Sequence, residues 1–262
     1  MPDLEARLGL LLLAGLACAA GPAQAFGNLL LIESPPAAAT LAVGPALWVL
    51  PKYPGSRSST AAIFPGVDFY APSGFFASTD SGLGWNLSKR RDVQAGLRLW
   101  PQFGRSAADA PAGISAIGHR LQAQAFFNFA PLPEVLLQSA LLRGAGQHHD
   151  GMVAEWGATS GVPLGVDLLA VGLAASFANR AWRQSYFGVS ASEAVRSGLA
   201  QFGPGAGWQD VSLSFSTEHH FTPQWHLSGQ LTFARLLGGA ARSPLAGSAR
   251  QTGASVTLWR DL

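Results

Sequence analysis

The chain has 262 residues, 48% of them hydrophobic and only 12% charged, against about 25% charged in an ordinary soluble domain. That composition excludes a disordered chain and a long solvated helix, and a single cysteine excludes an intramolecular disulfide framework or a multi-cysteine metal site. Fifteen Arg and two Lys, Lys52 and Lys89, leave a net charge of +2 with no basic patch, which argues against a nucleic-acid partner.

Residues Leu8 to Ala20 form a 13-residue apolar run, LGLLLLAGLACAA. It is too short to span a bilayer as a helix, which takes about 20 residues, and it suits the apolar core of a secretory signal. Ala23-Gln24-Ala25 supplies the small residues of a cleavage site, so cleavage is expected between Ala25 and Phe26, leaving residues 1–25 outside the fold. A lipoprotein signal ending at Cys18 is the alternative. Residues 26–40 (FGNLLLIESPPAAAT) read as a periplasmic lead-in, and residues 41–262 as the folded body.

The body alternates with period two. Segment 92–100 sets Val93, Ala95, Leu97 and Leu99 against Asp92, Gln94, Gly96, Arg98 and Trp100. Segment 120–129 sets Leu121, Ala123, Ala125, Phe127 and Phe129 against Arg120, Gln122, Gln124, Phe126 and Asn128. Segment 210–221 sets Val211, Leu213, Phe215 and Phe221 against Asp210, Ser212, Ser214, Ser216, Glu218 and His220. Segment 224–233 sets Trp225, Leu227, Leu231 and Phe233 against Gln224, His226, Ser228, Gln230 and Thr232. Alternation over ten or more residues exceeds an ordinary strand of about 5–6 and suits a membrane-spanning strand of about 9–11.

Twelve strands are predicted: 41–49, 61–71, 74–79, 83–88, 92–103, 117–129, 134–143, 151–161, 166–178, 208–221, 224–236 and 250–262. The two at 74–88 are too short to cross a bilayer, so the count stays open between 10 and 14. Short connections (72–73, 89–91, 130–133, 162–165, 222–223) alternate with mostly longer ones (50–60, 104–116, 144–150, 179–207, 237–249). Outer-membrane barrels show this asymmetry, with tight periplasmic turns and long outer loops. The fold expected is therefore all-β: a transmembrane antiparallel up-and-down β-barrel, with a soluble β-sandwich as the competitor. Trp48, Trp100, Phe103, Phe129, Phe177, Trp208, Phe221, Trp225 and Trp259 sit near strand ends and are expected to form aromatic girdles. In the 179–207 loop, Ser190 with Glu193 forms a capping-box pattern and Gly198 a stop, predicting a helix from about Ala191 to Ser197.

Chemistry is sparse. His226 and Ser228 fall on one face of a strand, with Glu218 and His220 facing the same way on its neighbour. The spacing resembles the His-x-Ser pair of lipid A deacylases, but those barrel enzymes carry their site on the outer wall, whereas this pair is on the polar face. A hydrolase is the remote alternative. His148-His149-Asp150 reads as an exposed loop rather than a metal site, since adjacent residues rarely converge on one ion. Asp68, Asp92, Arg98, Arg120, Glu155 and Asp210 are expected to face inward, to set pore selectivity or to pair across a filled lumen. No catalytic, cofactor-binding or metal-binding residue is assigned, and no cofactor is expected.

Three stretches resemble the MipA/OmpV family of outer-membrane proteins. The first is Tyr53-Pro54-Gly55-Ser56 with Phe75-Phe76-Ala77-Ser78 and Gly82-Leu83-Gly84-Trp85. The second is Ser185-Tyr186-Phe187-Gly188-Val189-Ser190, continued by Arg196-Ser197-Gly198-Leu199 and Gly207-Trp208-Gln209-Asp210-Val211. The third is Arg235-Leu236-Leu237-Gly238-Gly239-Ala240 with Ser243-Pro244. The resemblance implies a β-barrel in the outer membrane of a Gram-negative envelope, in contact with lipid and lipopolysaccharide. It also implies a scaffold that docks a murein lytic transglycosylase and a murein synthase at its periplasmic face. Other members of the family resemble porins or surface adhesion proteins, so a passive channel is the alternative. The chain departs from the family at its end, closing on Leu262 where members usually close on Phe.

Overall fold

The computed structural model describes residues 34–262 apart from Gln147, His149 and Val166. The expected signal segment, with Cys18, and residues 26–33 of the lead-in lie outside the described residues. Twelve strands close into one antiparallel barrel in chain order. They are β1 (Thr40–Pro51), β2 (Ser59–Tyr70), β3 (Phe75–Ser78), β4 (Gly82–Asn86), β5 (Val93–Gln102), β6 (Arg120–Leu132), β7 (Val135–Ala145), β8 (Gly151–Leu164), β9 (Asp167–Ala178), β10 (Gly207–Thr222), β11 (Trp225–Leu236) and β12 (Arg250–Asp261). Three helices lie between strands: α1 (Arg180–Phe187), α2 (Ala191–Ser197) and α3 (Gly238–Ala241). Closure runs from Ala42 opposite Asp261 to Val49 opposite Ala254. Gly44 is required at this seam, because a Cβ there would stand 1.7 Å from the Leu258 carbonyl oxygen.

The alternation places apolar side chains outside and polar ones inside. Leu97, Leu173 and Phe127 are 62%, 63% and 52% exposed, whereas Gln122, Gln124 and Asn128 are at most 2% exposed. This is the reverse of a soluble sandwich, whose apolar face packs against a second sheet. It is the pattern of a barrel whose solvent is lipid outside and polar matter within. Among the described residues no helix is long and apolar enough to cross a membrane.

The expected girdle separates into two sets. Phe129, Phe177, Trp208, Phe221 and Trp225 do face outward, but Trp48, Trp100, Phe103 and Trp259 are buried inside. The phase of each strand, not its end, decides: Trp100 shares a face with Arg98 and Trp259 with Thr257. Trp156 completes the outer cluster, with its ring 5.8 Å from that of Trp208. Asp92 also departs from expectation. It sits in the turn before β5, paired with Arg90, and not in the lumen.

The β3–β4 hairpin is as short as its sequence implied. β2 pairs with β3 only through Asp68, Phe69 and Tyr70. Among the described residues, the stretch of β2 from Ser59 to Gly66 therefore has no strand neighbour on that side. Behind this notch Trp48, Tyr53 and Phe103 form a buried cluster on which Phe64 packs, with the Trp48 and Phe64 rings edge to face at 4.8 Å.

Candidate functional site

The even strand count brings both ends of β1–β12 to one rim, where the turns 133–134, 165–166 and 223–224 are short. Connections 52–58, 103–119, 179–206 and 237–249 crowd the opposite rim. Short turns mark the periplasmic side of such barrels, so the crowded rim is the outer one. There the loops build a lid over the lumen.

The lid starts from α1. Asn179 caps it, with its side-chain oxygen accepting from Trp182 N at 2.9 Å, while its amide nitrogen donates to Asp150 O at 3.0 Å. Trp182 and Tyr186, one turn apart, stack with ring centroids 4.5 Å apart. Tyr186 and Phe187 are fully buried against Leu142, Val153, Ala178 and Leu236 of the barrel's outer end. α2 follows as expected. Ser190 Oγ accepts from Glu193 N, Glu193 reaches back to Ser190 N, and Gly198 ends the helix with φ 72°.

Arg105 ties the loops together. It is 1% exposed and donates from its two terminal nitrogens to Tyr186 O and Ser115 O, both at 3.1 Å. Its guanidinium lies 5.5 Å from the centre of the Tyr53 ring. Burial lowers its pKa from the ordinary arginine value, opposed by the field of Tyr53 and Glu193. Glu193 Oε1 accepts from Ser115 N at 3.0 Å. Burial alone would raise its pKa, but the hydrogen bonds from Ser115 and Ser190 outweigh that and bring it to about 2. Ser243 Oγ donates to Phe187 O at 2.7 Å. Gln251 accepts from Gly55 N at 3.1 Å and donates to Ser56 O at 3.2 Å. Tyr53–Ser56, Ser185–Ser190 and Gly238–Ala240, the stretches that carried the family resemblance, thus converge on this lid from distant points of the chain.

Below the lid the lumen is occupied. Arg98 is fully buried, bonded through Nε to Gln124 Oε1 and through a terminal nitrogen to Ser81 O at 3.0 Å, with Trp100 5.1 Å away. Ser176 donates to Asp210 at 2.8 Å, Glu155 is buried, and Tyr70, Phe76 and Phe126 form a buried aromatic cluster. Of the expected inward charges, Arg98, Glu155 and Asp210 are thus inside; Asp68 and Arg120 are only partly buried.

At the inner mouth the structure places the His226–Ser228 pair on the lumen face, each side chain with a partner of its own. Ser228 Oγ accepts from Trp259 Nε1 at 2.9 Å, and His226 Nδ1 lies 3.2 Å from Asp261. Glu218 is 2.7 Å from His220, whose ring is 5.1 Å from that of His226. The described residues contain no group of three or more His, Cys, Asp or Glu able to hold a metal ion. His148 and Asp150 are exposed in the β7–β8 loop, and His149 lies outside the described residues. The described end of the lead-in reaches this mouth, where Gln94 Nε2 donates to Ser34 Oγ at 3.4 Å.

Sequence reasoning missed α1 and Arg105. Asn179 three residues before Trp182, with an aromatic one turn later at Tyr186, was a legible helix start. Arg105 had no local signal, since its partners lie 10 and 81 residues away.

A closed barrel with an apolar outer face, aromatic clusters at its rims and a polar interior is an outer-membrane β-barrel. A family model described as MltA-interacting protein MipA matches residues 43–259, and the chain belongs to that family. Similar solved structures include the NanC porin, at 9% identity and a TM-score of 0.41 over 86% of this chain and 100% of that one. An outer membrane channel from Pseudomonas putida F1 gives 12% and 0.43 over 88% and 97%. The outer membrane channel DcaP of Acinetobacter baumannii gives 6% and 0.38 over 88% and 100%. No curated protein matches the sequence.

Proposed function

We propose that the protein is a structural scaffold. It is a lidded barrel that anchors in the outer membrane and offers its periplasmic rim to a murein-remodelling enzyme of the lytic transglycosylase type, and through it to a murein synthase. The observation that carries this reading is occlusion. Arg105, Tyr186 and Phe187 cross-tie the outer loops above an interior filled by Arg98, Trp100 and the Tyr70–Phe76–Phe126 cluster. A barrel so filled serves better as an anchor than as a conduit, and the description of the family as MltA-interacting supports the choice of partner. The docking surface proposed is residues 26–40 with the adjoining turns. The test is affinity capture of the tagged protein from mildly solubilised envelopes, with and without residues 26–40, read by mass spectrometry. Recovery of a murein hydrolase or synthase that disappears on deletion is expected. Recovery of assembly factors and lipopolysaccharide alone contradicts the scaffold.

A gated channel is the second reading, and one observation favours it. Under the lid, Arg120 Nε, Gln122 Oε1 and Gln124 Nε2 are buried with no hydrogen-bond partner among the described residues. Buried polar atoms of this kind call for water, so a wet upper lumen would conduct if the lid opened.

A further inference from the structure

The outward face of the outer rim carries an arrangement that neither the lid nor the inner mouth uses. Across five strands one row of side chains runs Trp156, Ala175, Val211, Arg235 and Arg250, each opposite the next in register. Arg235 and Arg250 are exposed and face each other directly across β11 and β12. Like charges so placed destabilise a sheet unless an anion lies between them. The rows below are apolar: Leu173, Leu213 and Phe233, then Val171, Phe215 and Leu231. The first of these rows, Leu173, Leu213 and Phe233, lines with Trp156, Val211 and the small residues Gly157 and Ala175 a groove of about 710 Å³ along the wall, with Arg235 and Arg250 at its edge.

A second hollow of about 580 Å³ lies beyond the strand ends, walled by Trp208, residues 203–207 and 237–239, Arg183 and Arg242. Arg183 is 4% exposed, yet its Nε and one terminal nitrogen have no partner among the described residues. Glycine makes room for it: a Cβ at Gly207 would stand 2.5 Å, and at Gly239 2.7 Å, from its terminal nitrogens. Burial and the nearby charge of Arg242 both lower the pKa of Arg183. None of the ion pairs among the described residues involves these four arginines.

We propose that this sector of the rim seats a phosphorylated, multiply acylated amphiphile of the outer leaflet. Its chains lie along Leu173, Leu213 and Phe233, and its phosphates lie against Arg235–Arg250 and in the Arg183–Arg242 hollow. Charge complementarity selects an anion, and the apolar groove below the guanidinium pair selects one with acyl chains. The inference rests on the outer-membrane reading and is independent of the scaffold.

The test uses the full chain folded in detergent, with bis-phosphorylated lipid A as probe and native mass spectrometry as readout. One tightly held lipid per barrel is expected. Arg235→Gln with Arg250→Gln should weaken retention about tenfold or more, the loss of one or more charge-assisted hydrogen bonds. Arg235→Lys with Arg250→Lys should keep most of it. Heat-modifiable gel migration checks that each variant is folded. Should the strand variants fail to fold, Arg183→Gln, outside the barrel wall, should erase the preference for bis- over mono-phosphorylated lipid A. Equal retention by the folded glutamine variant, or equal binding of dephosphorylated lipid A, overturns the proposal. Complete displacement of the lipid by millimolar inorganic phosphate overturns the lipid as the source of the anion.

Discussion

At the outer end Arg105, Glu193, Ser243 and Gln251 bind four loops to one another, whereas at the inner end the strands are joined by turns of a few residues. The outer end behaves like the core of a small domain: Tyr186, Phe187, Leu142 and Leu236 are buried together, and polar groups are tied across long sequence separations. The inner mouth is polar and half exposed, with His226, His220, Glu218 and Asp261 in local pairs. The difference shows where this barrel keeps its order. Loop packing orders the outer end, and the inner end has no comparable set of cross-ties among the described residues.

Substitutions at the two ends should therefore differ in size. The largest effect is expected from Tyr186→Ala, which leaves a cavity beneath the lid. Truncating a buried aromatic costs about 3–5 kcal/mol. Hydrogen exchange across residues 180–202 should rise sharply while the strands stay protected. Arg105→Ala should follow, at about 1.5–3 kcal/mol for charge-assisted hydrogen bonds. Arg105→Lys should not restore it, because one ammonium cannot reproduce the fork to Tyr186 O and Ser115 O. Loss of protection in both the 103–119 and 179–206 loops is the measurement. If only one loop loosens, Arg105 is not the tie.

Asn179→Ala removes the α1 cap and should cost about 1 kcal/mol, seen as faster exchange confined to α1. At the inner end Ser228→Ala should also cost about 1 kcal/mol, since it strips the acceptor from Trp259 Nε1. It should leave the lid untouched and should not change lipid hydrolysis by the purified barrel. A lipase activity abolished by this substitution would revive the enzyme reading.

A pH dependence is expected as well. The folded pKa of Glu193, about 2, lies below its ordinary value. Its contribution is therefore complete above about 4.5, declines as pH falls below that, and is gone below about 2. Exchange at the Ser115 and Ser190 amides should be flat between pH 7 and 5, after correction for intrinsic rates, and rise below pH 4. Glu193→Gln should abolish the pH dependence.

The barrel was legible because the bilayer imposes a strict rule. Strands that face lipid on one side and a polar lumen on the other must alternate, and β6 and β10 do so over more than ten residues. The short β3–β4 hairpin and α2 were legible for local reasons, strand length and a capping box. Trp48 and Trp259 were misplaced because both girdle and lumen accept aromatics, and only the phase of the strand distinguishes them. The lid was invisible in chemical terms. Its parts, Tyr53, Arg105, Glu193 and Gln251, are separated by tens of residues and meet only through barrel closure. The family resemblance lay on some of the lid's segments, Tyr53–Ser56, Ser185–Ser190 and Gly238–Ala240, without revealing that they touch.

The central claim is that the lid and the filled interior make this barrel an anchor and not an open pore. Single-molecule conductance in planar bilayers tests it most directly. The native protein should insert without steady conductance, and Arg105→Ala should produce, at most, flickering openings. A stable, discrete open conductance from the native protein would contradict the account and make the barrel a channel.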